Sequence, residues 1–272
     1  MNTSANPFLD HKQRHVLYGD AHRLTQRTSA LSAAKISGAA VAEVIAGLGP
    51  SRPSCVLDVG CGRGGTTAYL ARAWSPDHLT ALDASAAMLD QARARVTEHA
   101  PDIAGRVRFV CADFHDIPAL DDHVDVIVAA FCLYHAPKPG TVLAEFRRCL
   151  RPGGRIILVT KSADSYAALD ELVAASGLDP DATRRPSLYE SFHSGNAETI
   201  TAQHLRVDTV AHHQHRFHFT DAAHTARYVA TNPKYRLPQQ ELDTLTERLD
   251  TVLRGHGVAT DSAVTYVVAS KT

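Results

Sequence analysis

The sequence predicts an α/β protein: a doubly wound, mostly parallel sheet with helices on both faces and a small cap insertion towards the carboxyl end. Three observations carry this. Short apolar runs recur between residues 55 and 159 with helical stretches between them, and strand–helix alternation of that kind makes neighbouring strands parallel. The run over 124–130 is nearly continuous in apolar residues, as a strand covered on both faces should be. A strand over 55–59 also leads straight into glycines that open a helix, a junction that brings backbone close to a ligand.

Taken in order, residues 1–14 are polar and are expected to fray. Between 20 and 48 the apolar positions Leu24, Leu31, Ala34, Ile36, Val41, Val44, Ile45 and Leu48 recur at helical spacing, as two helices stopped by Gly49 and Pro50. After the strand over 55–59 and the glycine turn, a helix begins near Thr67. A second strand over 79–83 precedes a helix over 85–98. A third strand covers 107–111 and a fourth 124–130. A helix over 139–150 ends at the 151–154 turn, and a fifth strand covers 155–159.

Beyond Lys161 the rhythm changes. A helix over 164–176 is followed by strands over 205–210 and 213–220, helices over 221–231 and 239–255, and a last strand over 263–269. The expected organisation is an amino-terminal helical arm or lid (1–49), a ligand-binding core (50–161), a sheet continuation with a substrate-binding cap (162–262), and a final strand of the core sheet (263–272).

Composition narrows the partners. Lys plus Arg number 28 against 29 Asp plus Glu, so no strong field attracts phosphate backbones or anionic lipid. No nucleic-acid or membrane partner is expected. No stretch approaches the ~18 apolar residues of a membrane span, and the start lacks a basic-then-apolar leader, which points to the cytoplasm. The five cysteines lack Cys-x-x-Cys spacing, and four sit in apolar runs, which suits free, buried thiols. Among the sixteen histidines, His213 and His215 share one face of a strand while His212 and His218 share the other. At most two neighbours converge there, so no metal site is expected.

The glycine turn reads Gly60, Cys61, Gly62, Arg63, Gly64, Gly65. Its spacing also satisfies the dinucleotide fingerprint, with Asp83 at the distance of a ribose-binding acid, so the glycines alone leave a nicotinamide oxidoreductase open. Two acids lean the other way. Asp58, within the strand, is awkward beside a pyrophosphate but suits a cationic ligand. Asp113, after the third strand and beside Phe114, suits an adenine amino group.

These segments together resemble class I S-adenosylmethionine-dependent methyltransferases of the small-molecule, Rossmann-like type. The stretch from Val56 to Gly64 resembles the first motif, Leu82 to Ser85 the second, Ala112 to Phe114 the third, and Leu150 to Arg155 the turn before strand five. The likeness covers roughly residues 50–160. It implies S-adenosylmethionine as cofactor, with S-adenosylhomocysteine as product. By resemblance Gly60, Gly62 and Gly64 face the methionyl part with Asp58 beneath it. Asp83 binds the ribose hydroxyls, Ala84 beside it is a further cofactor-binding residue, Met88 lies against the adenine, and Asp113 and Phe114 edge it. Tyr18 falls in a region that closes over the cofactor in many relatives, or else staples the amino-terminal arm.

Strand four ends at Ala130, and His135 follows shortly after, where relatives line the floor of the reaction site. Methyl transfer needs alignment and sometimes proton removal, and a histidine titrates near neutrality. His135 is therefore a candidate general base, a positioning residue, or a structural histidine. Tyr134, Tyr189, His193 and Tyr235 are candidates for the acceptor pocket, beside Phe192 and Tyr228, which packing alone could explain. The expected activity is methyl transfer to an oxygen, then nitrogen or carbon, of a small-molecule metabolite in a biosynthetic pathway, by a monomer or homodimer. A cofactor-binding protein without catalysis is the alternative of a different class.

Overall fold

The computed structural model describes residues 6–10, 13, 17, 21–237 and 241–272. Helix α1 (Ala21–Ala34) gives way to a three-residue strand, β1 (Lys35–Ser37), before α2 (Val41–Leu48). The helical periodicity read over 20–48 is therefore broken by a strand. The reason is non-local: Lys35 pairs with Phe217 in an antiparallel ladder, which local sequence does not announce.

The alternating region follows as β2 (Cys55–Val59), α3 (Gly65–Trp74), β3 (His78–Asp83), α4 (Ala86–His99), β4 (Val107–Cys111), β5 (Val124–Ala130), α5 (Pro139–Cys149) and β6 (Leu150–Lys161). The fifth predicted strand is longer than its apolar run. Its ladder with β5 starts at Leu150, opposite Val124, and resumes at Arg155 after a register irregularity that spans the 151–154 turn, whose Gly153 and Gly154 bond to Lys271 instead. The remaining elements are α6 (Ala167–Ala175), α7 (Ala197–Ala202), β7 (Arg206–Phe219), α8 (Ala222–Val229), α9 (Leu242–Leu253) and β8 (Val258–Ser270). Two strands expected over 205–210 and 213–220 are thus one. The helix over 197–202 was not legible in the sequence.

Eight strands among the described residues form one sheet in the order β1-β7-β8-β6-β5-β2-β3-β4. The pairs β2–β3, β3–β4, β2–β5 and β5–β6 are parallel, and β6–β8 is antiparallel. The chain leaves β2 towards β3 and β4, then returns to place β5 on the other side of β2. That reversal is the switch point at which open α/β sheets bind ligands, beyond the carboxyl ends of the strands.

The chain divides into two compact units, one comprising residues 1–38, 162–190 and 213–263, the other 39–161, 191–212 and 264–272. In the second, Val56, Leu79, Ala81, Val126, Val128, Ile157 and Val159 share a buried cluster with Ile45 of α2, Leu70 and Trp74 of α3 and Ala92 and Val96 of α4. Strand residues of the opposite parity, Leu57, Leu82, Ile127, Ile156 and Leu158, are buried as well, which is why these strands read as continuous apolar runs. The first unit has its own core of α1, α6, α8, α9 and β7 residues, including Tyr166, Leu169, Phe219, Tyr228 and Leu249.

All five cysteines are free. Cys61, Cys132 and Cys149 are buried, Cys55 is half-buried, and Cys111 is exposed, because β4 is an edge strand whose last residue emerges from the sheet. No helix among the described residues is long and apolar enough to cross a membrane.

Candidate functional site

The glycine turn sits at the switch point. Val59 ends β2, and Gly60, Gly62 and Gly64 all take positive φ, at 64°, 53° and 74°. The turn is held by Cys61 N–H donating to the Leu82 carbonyl and Gly64 N–H to the Cys61 carbonyl, both at 3.0 Å. A Cβ on Gly60 would meet the Cys132 Cβ at 2.5 Å, and one on Gly64 the Ala92 Cα at 2.7 Å. One on Gly62 would meet nothing within 4 Å. Two of the glycines therefore allow close packing of the turn on its own protein, and the third faces open space.

Two carboxylates flank the turn. Asp58 is 1 % exposed, and its Oδ2 accepts a 2.6 Å hydrogen bond from the Thr67 hydroxyl in the first turn of α3. Burial pushes its carboxyl up to about 7; the Thr67 hydroxyl opposes that rise and the Asp83 charge adds to it. Asp83, the last residue of β3, accepts from Gly62 N–H through Oδ2 and from Ser85 N–H through Oδ1, each at 2.9 Å. Burial raises its pKa as well, opposed by the N–H groups of Ser85, Gly62 and Ala84. Among the described residues neither carboxylate forms an ion pair.

Two desolvated acids beside an open glycine are costly unless a partner compensates them. They match a ligand that brings positive charge and hydroxyl donors. The residues present therefore fit S-adenosylmethionine, with its ammonium, sulfonium and ribose hydroxyls, better than a pyrophosphate.

The other sequence candidates are placed as follows. Ala84 is exposed at the end of β3, and Met88 is buried in α4 behind the Ser85 cap, whose Oγ accepts from Met88 N–H. Asp113 is exposed, and its Oδ1 takes both the N–H and the ring Nδ1 of His115, at 2.9 and 2.6 Å. Phe114 is half-buried, its ring 4.8 Å from that of His115. Tyr18 lies outside the described residues. Tyr189 and Tyr235 belong to the first unit, where the Tyr235 hydroxyl donates to Asp170 at 3.0 Å.

On the other side of the switch point β5 ends in a distorted turn. Phe131 has φ 58°, a left-handed value that a bulky side chain rarely adopts. Its ring carries Lys161 Nζ at 5.2 Å from the centroid. Cys132 Sγ lies 3.3 Å from the Val59 carbonyl. One 3₁₀ turn, Leu133–His135, follows. Tyr134 is buried, and its ring packs edge-on to that of half-buried His135 with centroids 4.7 Å apart. His193 stands in the 191–196 segment of the same unit, with Nδ1 accepting Gly195 N–H at 3.0 Å.

Sequence reasoning missed Thr67, Cys132 and Ser191. A hydroxyl in the first turn after the glycines was the available signal for Thr67; Ser191 had none. The histidines of β7 spread out: His212 Nδ1 meets the Thr265 hydroxyl, while His215 lies against Gly38 and His218 against Gly257. Among the described residues no three His, Cys, Asp or Glu side chains gather as a metal site.

Residues 56–154 match the family model described as a methyltransferase domain. The chain is 33% identical over 162 residues to a ubiquinone/menaquinone biosynthesis C-methyltransferase of Azotobacter vinelandii, covering 59% of this chain and 57% of that protein. It is 31% identical over 141 residues to a malonyl-[acyl-carrier protein] O-methyltransferase of Xylella fastidiosa, covering 52% and 46%. The chain thus spans about half the length of these curated relatives. Its fold resembles that of the geranyl diphosphate C-methyltransferase of Streptomyces coelicolor, solved with Mg2+, geranyl diphosphate and S-adenosylhomocysteine: TM-score 0.52, 18% identity, 97% of this chain and 85% of that one. Residues 56–154 thus resemble the methyltransferase-domain family, and the sheet around them has the Rossmann-like fold of that solved structure.

Proposed function

We propose that this protein transfers the methyl group of S-adenosylmethionine to an oxygen, or failing that a nitrogen, of a small-molecule metabolite and releases S-adenosylhomocysteine. The observation that carries the reading is the pair of desolvated carboxylates, Asp58 and Asp83, on either side of a glycine that opens onto free space. Bound there, the cofactor supplies a methyl group already activated by positive sulfur.

The chain's own residues then bind, orient and remove a proton. Asp83, held in place by the N–H groups of Gly62 and Ser85, accepts from the ribose hydroxyls. Asp58 offers a charge to the ammonium, and Gly60, Gly62 and Gly64 let backbone approach the methionyl part. Ala84, Met88, Asp113 and Phe114 border the nucleoside. His135 takes the proton of the accepting hydroxyl as that oxygen bonds to the methyl carbon, and Tyr134 and His193 border the acceptor. We infer a cytoplasmic enzyme, monomeric or homodimeric.

Calorimetry with S-adenosylmethionine and S-adenosylhomocysteine should give micromolar binding, about −8 kcal/mol. Tritiated methyl donor, offered with a panel of phenols, hydroxy acids and amines, then reads the acceptor class. Heat from a nicotinamide nucleotide and none from either sulfur ligand would sink the proposal.

A further inference from the structure

The 191–196 segment is tied to its own unit by side-chain and backbone hydrogen bonds. The Thr160 hydroxyl donates to the Phe192 carbonyl at 2.7 Å, and Ser194 N–H donates to the Lys161 carbonyl at 3.0 Å. The Thr265 hydroxyl reaches Ser194 Oγ at 2.6 Å. Asn196 closes the turn, accepting His193 N–H at 2.7 Å and donating to the Ser191 carbonyl at 3.3 Å. Phe192 is wholly buried. These ties fix the segment on the carboxyl end of β6, and Ser191 at its start has one outward partner. Its hydroxyl donates to the Tyr134 carbonyl at 3.0 Å.

That carbonyl belongs to the peptide that joins Tyr134 to His135. The N–H at the other end of the same plane donates to the Cys132 carbonyl at 3.0 Å. A peptide unit is rigid and planar, so holding its oxygen and its hydrogen from two sides sets the direction in which the next residue projects its Cβ. Releasing the oxygen removes the Ser191 hold on that plane, on a short 3₁₀ turn of poor hydrogen-bond geometry.

We propose that Ser191 is a positioning residue that orients His135 through the Tyr134–His135 peptide. This rests on the reading of His135 as the proton acceptor, and it adds a residue 56 positions away that no motif marks. Proton transfer demands an acceptor held within hydrogen-bond reach of its target. A base on an irregular turn needs such a clamp more than one on a helix does.

The test needs no acceptor substrate. The full chain is labelled with 13C at histidine Cε1, and the His135 line is assigned by its loss in His135→Gln. Saturating S-adenosylhomocysteine should shift that line in the wild type; no shift would remove the reading of His135 beside the cofactor and leave Ser191 without a role to serve. In Ser191→Ala the His135 line should move and broaden while those of His78, His99 and His123 stay in place. Ser191→Thr, which keeps the hydroxyl, should return it towards the wild-type position. An unmoved His135 line in Ser191→Ala would overturn the inference while leaving the cofactor reading intact. Equal movement of all the histidine lines would also overturn it, as the mark of a merely structural serine.

Discussion

Gly62 and Gly64 are neighbours in one turn, yet substitution should separate folding from binding. At Gly64 an added Cβ would press on a backbone atom of α4 at 2.7 Å. Overpacking together with a left-handed φ costs about 2–4 kcal/mol, so Gly64→Ala should show a clearly lowered Tm. At Gly62 the space is open and only φ resists, so Gly62→Ala should stay folded for about 1–2 kcal/mol. Its methyl group then occupies ligand space, and S-adenosylhomocysteine affinity should fall about tenfold or more, some 1.4 kcal/mol. Unchanged affinity in a folded Gly62→Ala would place the ligand elsewhere.

Asp58 makes a pH prediction whose sign can be worked out. Burial raises its carboxyl to about 7, so between about 4 and that value the folded chain holds a proton that the unfolded chain has lost. Stability from this group is therefore full below the ordinary carboxylate range and declines as pH rises towards 7. A cationic ligand reverses the preference. Binding below pH 7 must release the proton, and S-adenosylhomocysteine affinity should weaken about tenfold per unit as pH falls. Calorimetry in buffers of different ionisation enthalpy reads that proton directly. Asp58→Asn should bind more weakly at pH 8 and lose the pH slope; a flat wild-type profile would mean that the ammonium sits away from Asp58.

At the level of elements, α5 holds the segment between β4 and β5 through one arginine. Arg148 donates to the carbonyls of Ile117 and Ala119, each at 2.9 Å, and also to Glu145 and Asp121. Glu145 in turn accepts Ile117 N–H at 2.9 Å. The Arg148 hydrogen bond, helped by that N–H and outweighing desolvation, holds the Glu145 carboxyl below its usual range. Its stability contribution is thus present above the ordinary glutamate value and lost as pH falls through the depressed one. With the guanidinium about a third exposed, solvent screens part of the ion pairing. Arg148→Ala should cost about 2–3 kcal/mol, read as a lower denaturant midpoint. Glu145→Gln should remove part of the acid limb of the unfolding profile, and an identical acid limb would count against this pairing.

Over the whole molecule, protection should follow position in the sheet. Val126, Ile127 and Val128 of β5 are wholly buried with paired strands on both sides, whereas β4 is an edge with only Val107 buried. Amide exchange should be slowest in β5 and β2 and markedly faster in β4. Equal protection across these strands would contradict the order in which they pair.

The alternation from 55 to 161, the glycine turn and its acids were legible in the sequence alone. Each is a local property: an apolar run, a residue free to take positive φ, or a carboxylate at a strand end, decided within a few residues of chain. The nearly continuous apolar strands even announced burial on both faces. What only the tertiary structure decided spans long separations. Lys35 joins Phe217 in a ladder, Cys132 packs under Gly60, Arg148 reaches back to Ile117, and Ser191 takes the Tyr134 carbonyl. Such pairings depend on strand register and on backbone carbonyls, which every residue type carries alike, so no side-chain pattern marks them in advance.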